Sequence, residues 1–448
     1  MSEGNRKILI IALPAIVTNI TVPLLGLVDT AIVGHMGDAA YIGAIAVGSM
    51  IFNLVYWVFA FLRMGTSGLT AQARGRRNFA EVRQLLRRST LVSMAIALLL
   101  LLFQWPLREL MLWFIAPTPD VRPLAVTYYN IVVWGAPAML GLYGLTGWYI
   151  GMQNTRISLF VSIFQNVVNI LASLTLVYGL GMKVEGVALG TVIAQYAGYA
   201  AAVAWLWRYY RRLLVKPDGQ QTAKGQGSGS SLSQFLRVNR DIFFRTLFLV
   251  VVNLYFTSAG ARQGAVILAV NTLLMQLYLL FSYFLDGFAY AGEALCGRYW
   301  GAHNDEAFRA VVRRLFLWGG AMTILFTIAY GLGGMSFLQL LTDESSVVDA
   351  ARSYIGWAVV IPVVGVAAFI WDGVFIGITL TRGMLWATSL SALVFFVVIA
   401  TLMPVLGNHG LWLAMILFLA MRGLVQTVIF LRTSCRASFG KPPCSCHR

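Results

Sequence analysis

Charge is scarce in this sequence: Asp, Glu, Lys and Arg make up only 11% of its 448 residues. Soluble domains carry roughly 25%, so a chain of this length has too little charge to coat a water-soluble surface. Cysteine and histidine are scarce too, with four of each. Cys296 ends an apolar run and Cys435, Cys444 and Cys446 fall in the tail, so no disulfide framework is expected. His35, His303, His409 and His447 occupy loops or the tail, and no metal site follows from them. The tail motif CSCH at 444–447 has no partner cluster elsewhere, and a disordered basic tail is the expectation there. The P-loop pattern GxxxxGK[ST] is missing, which speaks against an ATP-driven pump. No constellation of catalytic residues and no cofactor-binding motif appears, so the chain does not read as an enzyme.

Apolar residues dominate instead, at 59% with a mean hydropathy of +0.77. A helix needs about 20 apolar residues to cross a bilayer. Twelve segments qualify, near 8–33, 42–70, 89–115, 127–151, 158–180, 186–208, 241–259, 264–295, 314–340, 352–378, 384–405 and 409–432. They are continuously apolar, without the alternation of membrane strands, which predicts an all-α polytopic membrane protein. The first stretch lacks a small-residue cleavage site and is expected to remain as span 1.

The net charge of +16 would suggest nucleic acid in a soluble protein. Its placement points to membrane topology, because cytoplasmic loops collect Lys and Arg. With Arg6 and Lys7 inside, the same side receives the Arg74–Arg88 group, Arg156, the Arg208–Lys216 cluster, Arg298, the Arg309–Arg314 group, Arg382 and the tail. The alternate loops, such as HMGD at 35–38 and TDESS at 342–346, hold few bases. Both termini are therefore expected in the cytoplasm, with the lipid bilayer, not nucleic acid, as the large-scale partner.

The Gly/Ser/Gln-rich stretch 216–231 divides the chain almost in half. The halves match. TGWYIGMQNTR at 146–156 resembles DGVFIGITLTR at 372–382, with Gly147/Gly373, Gly151/Gly377, Thr155/Thr381 and Arg156/Arg382 in register. Three further pairs follow in order at similar offsets: GNRKIL with VNRDIF, AVGSMIFNL with AVNTLLMQL, and EGVALG with HGLWLA. This is internal duplication. Six spans per half is an even number, so the halves form a parallel repeat about an axis along the membrane normal. The expected organisation is an N-lobe over 1–212, a cytoplasmic linker over 213–238, a C-lobe over 239–432 and a tail over 433–448. Pro14, Pro23, Pro137 and Pro362 lie in apolar segments, where each permits bending.

An ionisable group inside a membrane is costly and usually faces the bundle interior with a role. Asp29, Asp286, Glu293 and Asp372 lie within spans, as do the bases Arg63, Arg245 and Arg422. Asp29 has no base in its own helix core, and protonation would remove the cost of its charge. It is the expected reversible proton carrier, with Pro23 as a hinge upstream. Asn166, Asn169 and Ser173 fall on one face of span 5 and should look inward, toward Asp29 or a wet cavity, or else pack between helices. In the second half Arg245 is positioned to neutralise Asp286. Glu293 lies on the same face two turns on, where it could be wet at a helix end, and Asp372 opens DGVFIG.

TNITVPLLGLVDTAIVGHMG, FLRMGTSGLTAQARG, NRDIFFRTL, LDGFAYAGEALCGRYWGA, IPVVGVAAFIWDGVFIG and LGNHGLWLAMILFLAMRG resemble the DNA-damage-inducible protein F branch of the multidrug and toxic compound extrusion (MATE) family. The resemblance runs from about residue 5 to 432. It implies the MATE fold, twelve helices in two six-helix lobes, in a bacterial inner membrane. It implies export of drugs or toxic compounds in exchange for H⁺ or Na⁺, from a chain expected to act as a monomer. In proton-coupled members an acid on helix 1 takes the proton as that helix bends, and Asp29 matches it. Such members also carry an Asn and an Asp four residues apart on helix 5 and a Thr on helix 6. Asn169 and Thr191 match, but Ser173 stands where the second acid would be, leaving Asp29 the sole intramembrane carboxylate of the N-lobe. Na⁺-coupled relatives use C-lobe acids, so Asp286, Glu293 and Asp372 keep Na⁺ coupling open. A lipid or lipid-linked oligosaccharide flippase is the other alternative, though four buried acids against three bases favour cationic or neutral cargo.

Overall fold

The computed structural model describes residues 3–34, 39–215, 232–342 and 344–436, and the side chains of 22–31, 33–34, 39 and 434–436 fall outside that description. The first half contains α1 (Glu3–Gly34), α2 (Ala39–Phe59), α3 (Phe61–Gly75), α4 (Phe79–Leu102), α5 (Gln104–Ile115), α6 (Arg122–Val132), α7 (Ala136–Gly151), α8 (Thr155–Leu174) and α9 (Val184–Val215). The second contains α10 (Leu232–Ala261), α11 (Ala265–Gly301), α12 (Asp305–Leu341), α13 (Ser345–Arg352), α14 (Ile355–Gly377), α15 (Thr381–Leu406) and α16 (Asn408–Arg436). Eleven of these helices or helix pairs are long and apolar enough to cross a membrane, and α1, at 32 residues, has the length for a twelfth. Only helices meet that need among the described residues, because in lipid every backbone N–H and C=O must be bonded within its own segment.

Several spans differ from the apolar runs that announce them. The third breaks at Phe103 into α4 and α5. A short 3₁₀ turn, Val133–Gly135, joins α6 to α7. Pro137 directly follows this turn inside the continuous span Arg122–Gly151, where the missing N–H leaves a place for the helix to bend. Pro362 and Pro404 lie inside helices. After α8 the chain adds a π-helical turn, Thr175–Gly179. Residues 213–215 and 232–238, read from composition as linker, are helical, and the rest of that linker and the CSCH tail motif lie outside the described residues.

The duplication recurs in backbone detail. Arg77 and His303 both adopt left-handed φ, as do Gln153 and Thr379. The same bonds close each turn: Arg77 N–H donates to Arg74 O and His303 N–H to Trp300 O, both at 3.0 Å. Asn154 N–H reaches back to Tyr149 O at 2.9 Å, and Leu380 N–H to Phe375 O at 2.8 Å. Asn78 and Asn304 then cap the following helices, accepting from the backbone of Glu81 at 3.1 Å and Ala307 at 2.9 Å. Such agreement at matched positions is what a repeated six-helix unit leaves behind.

By packing, the described chain divides into two compact units. One comprises Met1–Phe243 with Tyr290–Val311 and Ile376–Thr379; the other comprises Phe244–Ala289, Val312–Phe375 and Leu380–Arg448. Helix α11 is continuous through the boundary at Ala289–Tyr290.

Candidate functional site

In the first unit α1 runs beside α8 in a parallel register fixed by hydrogen bonds. Asn166 Nδ2 donates to Thr21 O at 3.3 Å, and Thr21 Oγ1 lies 3.4 Å from Ser162 Oγ. Further along, Tyr178 of the π turn donates its hydroxyl to Ile32 O at 3.1 Å. Asp29 and Pro23 belong to the stretch of α1 between these two anchors, and their side chains lie outside the described residues. Asn169 and Ser173 occupy the matching stretch of α8. Both are buried, at 1% and 0% exposure. Asn169 Nδ2 donates to Thr191 Oγ1 at 3.3 Å, and Thr191 Oγ1 donates to Val187 O of its own helix. Among the described residues, Asn169 Oδ1 and Ser173 Oγ have no hydrogen-bond partner. An unmet buried polar atom costs about 1–3 kcal/mol, so each of these two atoms has the capacity to take a further hydrogen bond. The sequence-predicted polar face is thus split: Asn166 spends its donor on the α1 backbone, while Asn169, Ser173 and Thr191 gather between α8 and α9.

In the second unit the structure corrects the expected ion pair. Arg245 donates to Asp372, not to Asp286 as its hydrogen-bonded carboxylate; Asp286 adds its charge to the same cluster. Arg422 Nη2 reaches the same Asp372 oxygen at 2.7 Å, and Gln426 Nε2 donates to the other at 2.6 Å. Exposure is 6% for Arg245, 7% for Asp372, 2% for Arg422 and 0% for Gln426. Asp372 therefore has both oxygens occupied by a cationic and amide cage. Sequence reading noticed Arg422 as a base within a span and missed it as a partner; Gln426, one turn further on α16, was the available signal.

Glu293 is also corrected. It is 1% exposed, not wet at a helix end. It lies in the part of α11 that packs with the first unit, where Arg63 Nη1 of α3 donates to its Oε2 at 3.3 Å and Ser67 Oγ donates as well. Among the described residues no group of three or more His, Cys, Asp or Glu is placed to hold a metal ion.

Comparison with known proteins agrees with this architecture. The MatE family model matches residues 14–175 and 242–402, one match per half. The chain is 37% identical over 433 residues to DNA damage-inducible protein F of Escherichia coli K12, covering 96% of this chain and 93% of that one. It is 23% identical to the probable multidrug resistance protein NorM of Thermotoga maritima, covering 78% and 75%. Among solved structures, the Vibrio cholerae MATE transporter VcmN in its bent form superposes with a TM-score of 0.82 at 16% identity, over 96% of this chain and 97% of that chain. With two matched halves, twelve spans and a relative aligned along nearly its whole length, the chain belongs to the MatE family of multi-pass membrane transporters.

Proposed function

We propose that this transporter is a proton-coupled antiporter that expels drug-like or toxic organic compounds, cationic or neutral, across a bacterial inner membrane. The observation that carries the coupling assignment is the difference between its intramembrane acids. Asp372 and Glu293 are already bonded to arginines, so their oxygens are poorly placed to coordinate Na⁺. Asp29 lies on the helix that runs past the unmet oxygens of Asn169 and Ser173. A carboxylic acid can donate to such an oxygen when protonated and lose that bond when ionised, so protonation state and helix position become linked. Asn166, through Thr21, and Tyr178, through Ile32, hold α1 at either side of that stretch. The printed name of one relative, a probable multidrug resistance protein, supports the cargo class. We read the protein as a monomer and H⁺ as its coupling ion, with no other cofactor.

Proteoliposomes loaded with a panel of cationic and neutral dyes test this directly. An imposed pH gradient is expected to drive dye movement, and a Na⁺ gradient at matched pH is expected to leave it at background. Movement driven by Na⁺ alone would overturn the assignment, and movement of labelled lipid without dye movement would favour a flippase.

The orientation proposed from the basic loops places both termini and residues 216–231 in the cytoplasm. With the native cysteines replaced, a cysteine introduced at Gln220 is expected to react with an impermeant maleimide in inside-out vesicles and to stay unlabelled in intact cells. Labelling from outside the cell would reverse the topology.

A further inference from the structure

Three parts of the second half pack within the first unit: Tyr290–Gly301 of α11, the start of α12, and Ile376–Thr379 at the end of α14. The approach is backbone-close. A Cβ at Gly68 would collide with Ile376 O, one at Gly75 with Arg298 O, and one at Gly301 with Gln72 O. Gly297 sits against Ala71 and Gly377. Such contacts exclude water, and polar groups bind through them. Gln72 Nε2 donates to Gly377 O at 2.8 Å. Gln153 Nε2 donates to Ala294 O at 3.3 Å, and Arg298 Nη1 donates to Gln153 Oε1 at 3.0 Å. At the centre, Glu293 takes Arg63 and Ser67, and Arg63 lies over the Tyr290 ring at 4.1 Å from its centroid. Tyr290 donates its hydroxyl to Asn19 of α1 at 3.5 Å, two residues before the Thr21 anchor.

We propose that Glu293 and Arg63, with Ser67, form a clasp that holds this end of the transporter shut and must release once in each transport cycle. A carrier made of two repeated halves exposes its interior to each side in turn. The contacts above join elements of both halves, with Arg74 and Arg298 beside them. The glycine contacts there leave no room even for a Cβ. Glu293 and Arg63 are 1% and 8% exposed, and separating one from the other inside a dry contact is costly. The pair therefore holds until the whole contact opens and water reaches both charges, which makes the step all-or-none. Tyr290 joins the clasp to α1, the helix assigned to proton binding. Glu293 and Arg63 are positioning residues here: they set the balance between closed and open states and do not bind cargo. The inference needs only a two-state transporter and no knowledge of cargo or coupling ion.

Cys296 gives a native reporter, because it lies on the docked part of α11, one turn past Glu293, and is fully buried. In full-length protein carrying Cys435→Ser, Cys444→Ser and Cys446→Ser, its alkylation by N-ethylmaleimide is followed in inside-out vesicles. Glu293→Gln and Arg63→Gln are each expected to speed alkylation about tenfold or more over the parent. The double variant is expected to fall back to within about threefold of it, since neither charge is then stranded. Ser67→Ala, which removes one bond to Glu293 and no charge, is expected to give a smaller rise and keeps the test open should a charge variant fail to fold. Dye-binding affinity in detergent is expected to stay at the parent value in all of them. Parent rates in all three single variants, single effects that multiply in the double variant, or a loss of dye affinity that parallels the change in alkylation would overturn the clasp.

Discussion

Asp29→Asn is expected to bring proton-driven efflux down to background, a loss of about a hundredfold or more, while the protein still inserts and folds. The reasoning begins from linkage. A proton can shift a conformational equilibrium only by binding the two states with different affinity. A hundredfold difference in affinity is worth about 2.7 kcal/mol, enough to invert a balanced equilibrium decisively. A carboxyl on a membrane helix has that range available, since burial favours its neutral form and hydration its charged form. Asn has the size of Asp and cannot titrate, so the variant keeps the packing of α1 and loses only the exchangeable proton. The anchors at Thr21 and Ile32 are made through backbone oxygens and survive the change. Efflux of a fluorescent substrate under an imposed pH gradient, with circular dichroism and size-exclusion profiles as controls, measures the effect. Asp29→Glu, which restores a proton one methylene away, is expected to recover part of the rate. Wild-type efflux by Asp29→Asn would make Asp29 structural and move the coupling site to Asp286, Glu293 or Asp372.

The membrane fold was written plainly in the sequence because the bilayer imposes a length and a composition on every span. The repeat was readable for a different reason: Gly147/Gly373 and Gly151/Gly377 recur where backbones meet. A Cβ at Gly147 would strike Arg63 O, and one at Gly373 would strike Ala289 O. Glycine is held there by contact geometry. The break at Phe103 was overlooked because the run is apolar on both sides, although Gln104 and Pro106 mark it. The longer ends of α9 and α10 carry polar residues that hydropathy discounts.

Side-chain partnerships were much less legible. Periodicity along a helix says which residues share a face and is silent on which other helix meets that face. Arg245 was therefore assigned to Asp286, an intramembrane acid close at hand in sequence, whereas the bonded one is Asp372, far along the chain on α14. Arg63 and Glu293 were each recognised as charges within spans, yet nothing in either segment names the other. The signal lay in the small residues around them, Gly68, Gly75, Gly297 and Gly301, whose only common explanation is close helix approach. Asn169 and Ser173 fared better, since a polar stripe on a lipid-bathed helix has to turn inward.

Asp372→Asn carries the largest expected loss of stability. Asp372 is the carboxylate that Arg245 and Arg422 share, and Gln426 fixes its second oxygen. The amide keeps the shape and can still accept from Gln426, but it removes the negative charge facing two guanidinium groups that are 6% and 2% exposed. Breaking a buried ion pair by removing one partner costs about 3–5 kcal/mol, because a charge is left uncompensated. Here two positive charges would remain side by side, with Asp286 contributing to the same cluster. Unfolding of such a protein in detergent is expected to be irreversible, so the measurement is the half-life of the monodisperse species on heating. That half-life is expected to fall at least tenfold in Asp372→Asn. The double variant Asp372→Asn/Arg422→Gln, which removes one stranded charge as well, is expected to regain much of it. Its recovery separates the two roles open to Asp372. If the aspartate serves as the anion of a structural cluster, efflux returns in step with the half-life. Unchanged stability with efflux lost in both variants would instead make Asp372 an acid of the transport reaction, and would put the second half back among the candidates for the coupling ion.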